Sequence, residues 1–388
     1  MLEPRDEAEL AEAIAGLTEP VEIRGGGTRL GLGRPVQAGA TLSTAGLSGV
    51  KLYEPGALTL VAGAGTPLAE IEALLAAENQ RLAFEPMDHR PLLGGLGHGG
   101  GEPTIGGVTA CNVSGPRRVQ SGACRDALLG VRFVDGTGQV LRNGGRVMKN
   151  VTGYDLVKLL AGSWGTLGVL TELAFKLAPA PEAAATLTLR GLSDAEALGA
   201  MTAALGSPYD VSGAAHLPGA EPRTLVRVEG LGPSVAYRTG RLARLLGKFG
   251  PVETEDDPAS VAAEWGGVRD VTAFADRPGA VWRVSLRPSD APGFVAGLGE
   301  DAAPEAALYD WGGGLVWLLA PETAAAAAAI RAAAARLKGH ATLVRAAAPY
   351  RAAAGAFQPE PPALAALSEG VRAKFDPKGL LNPGRMRG

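Results

Sequence analysis

The chain has 388 residues, 46% of them hydrophobic and 20% charged, with a net charge of −3. That length and balance suit a folded protein of two or three domains. The sequence shows no basic stripe that would suggest nucleic acid as a partner, and no apolar run long enough for a transmembrane segment.

The polar, acidic start from Met1 to Glu7 is unlike a secretory signal, so a cytoplasmic location is expected. Two cysteines, Cys111 and Cys124, are too few to ligate an iron–sulfur cluster. They read as buried small hydrophobes rather than as a redox pair. Four scattered histidines, His89, His98, His216 and His340, lack metal-ligand spacing, so no metal is expected.

In chain order, residues 5–16 predict a helix with Leu10, Ile14 and Leu17 on one face. A strand at 21–24 runs into Arg24-Gly25-Gly26-Gly27-Thr28. Strands follow at 50–53 and 58–62, then a helix from Pro67 to about residue 78 with Thr66 as its N-cap. From 85 to 125 the chain is glycine-rich and aperiodic, and a stretch of that kind is usually functional. Strands return at 128–134 and 138–142 around the turn Asp135-Gly136-Thr137-Gly138. A short helix at 154–161 and a long strand at 167–177 lead to Ala178-Pro179-Ala180-Pro181, where the first domain ends. The remainder contains a weak internal repeat. Strands near 187–190, 210–216 and 223–229 with helices near 193–205 and 233–248 are followed by strands near 284–287, 305–310 and 313–319 with helices near 289–299 and 322–337. Each half reads β-α-β-β-α, and a strand at 341–344 closes the second, an order that suits two ferredoxin-like units on an antiparallel sheet.

The triple glycine admits two readings: a plain turn, or a nest of N–H groups that binds an anion such as phosphate. Gly63-Ala64-Gly65-Thr66-Pro67-Leu68 lies between a strand and a helix, but it lacks the third glycine of a dinucleotide fingerprint. Pro67 also removes a donor from the helix end. Further glycine clusters stand at 94–101, at Thr104-Ile105-Gly106-Gly107 and at Gly162-Ser163-Trp164-Gly165-Thr166-Leu167-Gly168-Val169. Three such loops beside strands suggest a long ligand threaded along exposed backbone, for which FAD has the length.

Together with Gly153-Tyr154-Asp155-Leu156 and the tail Phe375-Asp376-Pro377 to Asn382-Pro383-Gly384-Arg385, these loops resemble the vanillyl-alcohol-oxidase, or PCMH-type, family of FAD-linked oxidoreductases. Phe84-Glu85-Pro86, Ser114-Gly115-Pro116-Arg117-Arg118, Arg125-Asp126 and Val147-Met148-Lys149-Asn150 narrow the resemblance to the FAD-binding E subunits of bacterial glycolate oxidases. The resemblance implies an α+β fold. A PCMH-type FAD domain of two subdomains would occupy 1–178, and a second α+β domain with ferredoxin-like β-α-β-β-α repeats 179–350. A segment from 351 to 388 would return to the FAD domain.

It implies further that Arg24, Gly25, Gly26, Gly27 and Thr28 form the pyrophosphate loop. Thr104, Gly106, Gly107, Asn112, Ser114 and Gly115 would run beside the ribityl chain and flavin, and Gly168 and Val169 would meet the adenine end. Thr28 stands where some relatives carry a flavin-bonded histidine, so non-covalent FAD is expected. His98 is either a solvated loop residue or a neighbour of the ring. Lys149, Arg117, Arg118 and Arg125 are either cations beside the flavin or members of salt bridges. A Gly26→Val change is expected to abolish FAD retention, because a β-branched side chain resists positive φ and fills the phosphate space.

The implied role is a subunit of a complex that oxidises an α-hydroxy acid, glycolate to glyoxylate. Its partners would be a catalytic flavoprotein subunit and an iron–sulfur subunit, and any inner-membrane association would be peripheral, through those partners. The second domain has only His216 and His340, far apart, and Arg283, Arg345 and Arg351 as carboxylate clamps that nothing distinguishes. Catalytic residues are therefore unassigned. Two alternatives stand beside the leading reading: a stand-alone FAD-linked D-lactate or glycolate dehydrogenase, and a non-catalytic FAD-binding structural subunit.

Overall fold

The computed structural model describes residues 1–94, 100–146 and 153–386. Strand β1 (Val21–Arg24) pairs in parallel with β2 (Ala40–Ser43). The sequence expectations omit β2: four residues with one large apolar side chain, the buried Leu42, are too short for alternation to register. Strands β3 (Val50–Glu54) and β4 (Thr59–Gly63) belong to an antiparallel sheet with β6 (Leu128–Val134), β7 (Val140–Gly144) and β8 (Val169–Lys176), in the order β3-β4-β8-β6-β7. The Asp135 carboxylate fixes the β6–β7 turn by accepting the Thr137 and Gln139 N–H groups at 2.9 and 3.0 Å. The short pair β5 (Gln80–Arg81) and β9 (Ala178–Pro179) ties the segment at 178–181 back onto this region.

Two expectations need correction. The helix Leu68–Ala77 is not capped by Thr66. The Thr66 hydroxyl instead donates to the Gly63 carbonyl at 2.7 Å and accepts the Gly49 N–H at 2.9 Å, which tightens the turn out of β4. The stretch 85–125 is not devoid of regular structure. It holds four short helices, Arg90–Leu93, Ile105–Ala110, Arg118–Ser121 and Cys124–Ala127. Each is under two turns, too short to show a period and too short to form without tertiary contacts.

The rest of the chain is built on one eight-stranded sheet. Its strands are β10 (Ala183–Arg190), β11 (Val211–Leu217), β12 (Arg223–Gly230), β13 (Val252–Glu255), β14 (Ala280–Ser285), β15 (Ala306–Asp310), β16 (Leu315–Ala320) and β17 (His340–Arg345). The order β13-β10-β12-β11-β15-β16-β14-β17 is two ferredoxin-like halves joined edge to edge at His216 and Tyr309. The first half thus has its own closing strand, β13, which the sequence reading lacks, as it lacks the helix Pro258–Asp270.

Both faces of this sheet are covered, so its strands alternate between two cores rather than between core and water. On β12, Val226 and Val228 face the outer helices Asp194–Leu205 and Gly232–Leu246, and the alanine-rich Ala324–Arg336, capped by Thr323, packs on β17 in the same core. Leu225, with Trp317 on β16 and Val344 on β17, joins a core continuous with Phe84, Phe133 and Phe175 of the N-terminal half. That shared core seats the eight-stranded sheet over the region where the glycine loops converge.

After β17 the chain forms Ala348–Ala354 and the helix Pro362–Phe375, then returns to β1. The second helix has no buried residue. Its Leu364, Leu367 and Val371, spaced to share one face, are 49, 69 and 36% exposed. Among the described residues no helix is long and apolar enough to cross a membrane.

Candidate functional site

The end of β1 opens into a cleft of about 100 Å³. Its walls are backbone-rich. Arg24, Gly25, Gly26, Gly27 and Thr28 form one side, Thr104, Gly106 and Gly107 a second, and Gly165 and Gly168 a third. The walls are packed too closely for side chains. A Cβ on Gly25 would lie 2.3 Å from Thr104 Oγ1, and one on Gly26 would lie 1.7 Å from the Glu102 carbonyl oxygen. Gly27 has φ +74°, the left-handed region that glycine tolerates. Among the described residues, the backbone N–H groups of Gly25, Gly26, Gly27 and Thr28 donate no hydrogen bond. Thr28 is only 3% exposed. Consecutive enclosed N–H groups without acceptors are a ready anion nest.

The C-terminal tail completes the cleft. Leu380 and Asn382 extend along β1, with Val21 N–H donating to the Leu380 carbonyl at 2.9 Å and Asn382 N–H to the Val21 carbonyl at 3.0 Å. The Asn382 side chain accepts the Ile23 N–H and donates to the Trp164 carbonyl, each at 2.8 Å. It therefore clasps β1 to the Trp164-Gly165 turn, and all four residues line the cleft. Glu22 accepts from Arg24 Nε at 2.8 Å and from Arg385 at 2.7 Å, so one carboxylate is shared between both cations beside the loop. Replacing Asn382 by Ala strands one donor and one acceptor. A stability loss of about 2 kcal/mol or more is expected in urea denaturation, with weaker cofactor retention.

The other expected site residues lie farther along or behind. Asn112 and Ser114 line an inner cavity of about 60 Å³ that shares Cys111 and Trp164 with the cleft. Asn112 accepts the Arg125 N–H at 3.0 Å, and Ser114 accepts the Cys124 N–H at 3.0 Å. Gly115 packs on Glu85, where a Cβ would sit 2.3 Å from the Glu85 carbonyl oxygen. Val169 points into the small core of Leu10, Ile14 and Val134. His98 and Lys149 lie outside the described residues. Cys111 and Cys124 are free thiols, both raised by burial, Cys124 to about 12.

Arg117, Arg118 and Arg125 do not line either cavity. Arg117 is 7% exposed and donates to Glu229 at 2.9 and 3.0 Å, in a buried ion network between the two halves. Arg118 stacks on Trp311, 4.4 Å from the ring centroid, and Arg125 pairs with Asp126.

Three side chains were not legible as site residues. Arg29 lines the cleft and carries no ion pair among the described residues. It directly follows the glycine loop, but its burial has no signature in sequence. His89 lines the inner cavity at 7% exposure, with Nδ1 unpartnered. Burial, and then Arg29, push its pKa down to about 3, so the ring is neutral at physiological pH. Arg283 is distinguished from Arg345 and Arg351, whose guanidinium groups are spent on backbone carbonyls of Leu92, Phe274 and Gly33. On β14, flanked by Trp317 of β16 and Thr342 of β17, Arg283 faces the inner cavity over Trp311 with no hydrogen bond or ion pair among the described residues. Burial, then Arg118, lower its pKa to about 10, which leaves it charged.

Comparison with known proteins places this geometry. Residues 1–144 match the family described as FAD binding domain. Over 378 residues the chain is 38% identical to glycolate oxidase subunit GlcE of Escherichia coli, covering 97% of this chain and 94% of that protein. It is 35% identical over 162 residues to a D-lactate dehydrogenase of Archaeoglobus fulgidus, covering 41% of this chain and 33% of that one. A solved structure of alkyldihydroxyacetonephosphate synthase superposes with TM-score 0.68 at 16% identity, covering 98% of this chain and 76% of that one, a likeness of fold.

Proposed function

The chain belongs to the family of FAD-linked oxidoreductases that includes glycolate oxidase subunit GlcE, and on that premise we propose that it is the FAD-binding subunit of a glycolate oxidase-type complex. FAD is its cofactor. The observation that carries the assignment of the site is the run of acceptor-free N–H groups from Gly25 to Thr28 in a cleft where a Cβ would strike opposing backbone. Such a wall suits a diphosphate, with Thr104, Gly106 and Gly107 opposite and Gly168 at the far end. Asn112 and Ser114 lie beyond, toward the ring.

Bound FAD supplies the two-electron acceptor. The proposed partners are a catalytic flavoprotein subunit and an iron–sulfur subunit. Two buried, protonated thiols leave cluster binding to another chain. The exposed apolar face of Pro362–Phe375 supports a place in a larger assembly. The test is purification of the chain with its neighbours and alone. A yellow protein that reduces with glycolate only in the complex is expected. A folded, colourless chain overturns the FAD site.

Arg283 favours a second reading, in which this chain itself meets the α-hydroxy acid. An enclosed guanidinium without a counter-ion suits a carboxylate. His89, neutral and with Nδ1 unpartnered, lines the same cavity and would hydrogen-bond the substrate hydroxyl. In this reading Arg283→Met raises the dissociation constant for glycolate, followed by flavin absorbance, about tenfold or more and leaves FAD content unchanged. Equal glycolate affinity in that variant returns the role to the partner subunit.

A further inference from the structure

We propose that Arg29 is the cation that faces the flavin ring end of bound FAD and favours its reduced form. The inference rests on the reading of the cleft as the FAD site.

Three guanidinium groups line the cleft: Arg24, Arg29 and Arg385. The first and the last share an ion pair with Glu22. Arg29 has no carboxylate within ion-pair distance among the described residues. Asp88, a carboxylate that acts on it from beyond ion-pair distance, is already held by Arg90 at 2.9 Å. The hydrogen bonds of Arg29 are long, 3.5 Å to Thr28 Oγ1 and 3.4 Å to the Met87 carbonyl, and its Nε is enclosed without any partner. A cation so poorly compensated in a half-open cleft is held ready for an anion that the chain itself does not contain.

Its direction identifies which part of FAD that anion belongs to. The diphosphate has its own donors in the Gly25–Thr28 loop. One amino group of Arg29 reaches back to Thr28 Oγ1 in that loop, and the other reaches out of it to the Met87 carbonyl. Met87 and Cys111 also line the inner cavity that holds His89 and Arg283. The guanidinium therefore stands where the cleft passes into the cavity at which a reacting substrate would sit. Reduction adds negative charge to the ring, and a nearby positive charge in an enclosed site stabilises that form.

The test uses the full chain carrying FAD, as Arg29→Gln and Arg29→Lys variants. Flavin-to-protein ratio, midpoint potential by dye-coupled reduction and sulfite affinity are read for each. Arg29→Gln is expected to keep FAD, to have a lower potential, and to bind sulfite about tenfold more weakly or worse. Arg29→Lys, which keeps the charge, restores most of both. Unchanged potential and sulfite affinity in a yellow Arg29→Gln protein overturn the proposal. Loss of flavin from Arg29→Gln, with a native circular dichroism spectrum, also overturns it by assigning the charge to the diphosphate. A wild-type chain that retains no FAD rejects the cleft reading itself, a result distinct from either.

Discussion

A chain with Ala or Val at position 26 is expected to purify without flavin. The sequence argument for Gly26 rested on positive φ and on the bulk of a β-branched side chain. The structure replaces that reason. The left-handed residue of the loop is Gly27, whereas Gly26 carries none of that strain. What Gly26 cannot accommodate is any Cβ at all. The ideal position lies 1.7 Å from the Glu102 carbonyl oxygen and 2.8 Å from its carbon, both backbone atoms. Gly101 meets the loop in the same way from the other side, with its own Cβ position 2.3 Å from the Gly26 carbonyl oxygen. Two backbone runs are thus in direct contact across the cleft wall, and one methyl group forces them apart. Ala should therefore be nearly as damaging as Val, whereas the β-branch argument makes Ala mild. The ratio of flavin to protein absorbance in the purified variants decides between these reasons. Full flavin content in Gly26→Ala removes the contact argument.

The second large effect is expected in the ion network between the halves. Arg227 on β12 holds Glu85 with two bonds of 2.9 Å and stacks 4.5 Å from the Trp265 ring centroid. Arg117 and Arg81 bind Glu229, also on β12, at 2.9 and 2.8 Å. Glu85, Arg117, Arg227 and Glu229 all have side chains at most 11% exposed. Glu85→Gln leaves three guanidinium groups facing one carboxylate. A loss of about 3–5 kcal/mol is expected, as for breaking a buried pair from one side. The double variant Glu85→Gln with Arg227→Met should lose less than the sum of the two single changes. Urea titration followed by tryptophan fluorescence, with Trp265 as the local probe, measures the difference. An additive cycle would show that the pair is not coupled.

The same network sets an acid limit. Burial alone would raise the Glu85 and Glu229 carboxyls, but Arg227 chiefly, with Arg117, outweighs it and holds both below the ordinary carboxylate range. A lowered folded-state pKa contributes stability that is present above the unfolded value, about 4.3, and is lost as pH falls through the folded one. Wild-type stability should therefore drop below about pH 4, and less steeply in Glu85→Gln, which has one such group fewer.

Much of this was legible in the residues. The repeat of strands and helices in the second half was readable because its helices, apart from the short Ala291–Ala296, run three turns or more and its strands are long enough to alternate. The helix at 258–270 was equally signed, by Asp257 as N-cap and Pro258 at the first position, with Asp257 accepting the Ser260 N–H at 2.8 Å. The short helices of 85–125 were not readable, since their stability comes from contacts rather than from local preference.

The sequence by itself determined the backbone of the site. Glycine runs, the Thr104 loop and the Asn382-Pro383-Gly384 tail declare their geometry, because each places glycine, or a short polar side chain, where the chain must turn or approach another backbone. Only the tertiary structure decided the charges. Arg29, Arg117 and Arg283 look alike as letters, yet one faces a cleft without a counter-ion, one is locked between carboxylates at the domain junction, and one waits uncompensated in the inner cavity. A guanidinium's role depends on which acids come within about 4 Å of it and how much water is excluded. Both are set by residues distant in sequence, as Met87 lies 58 positions from Arg29 and Glu229 lies 112 from Arg117.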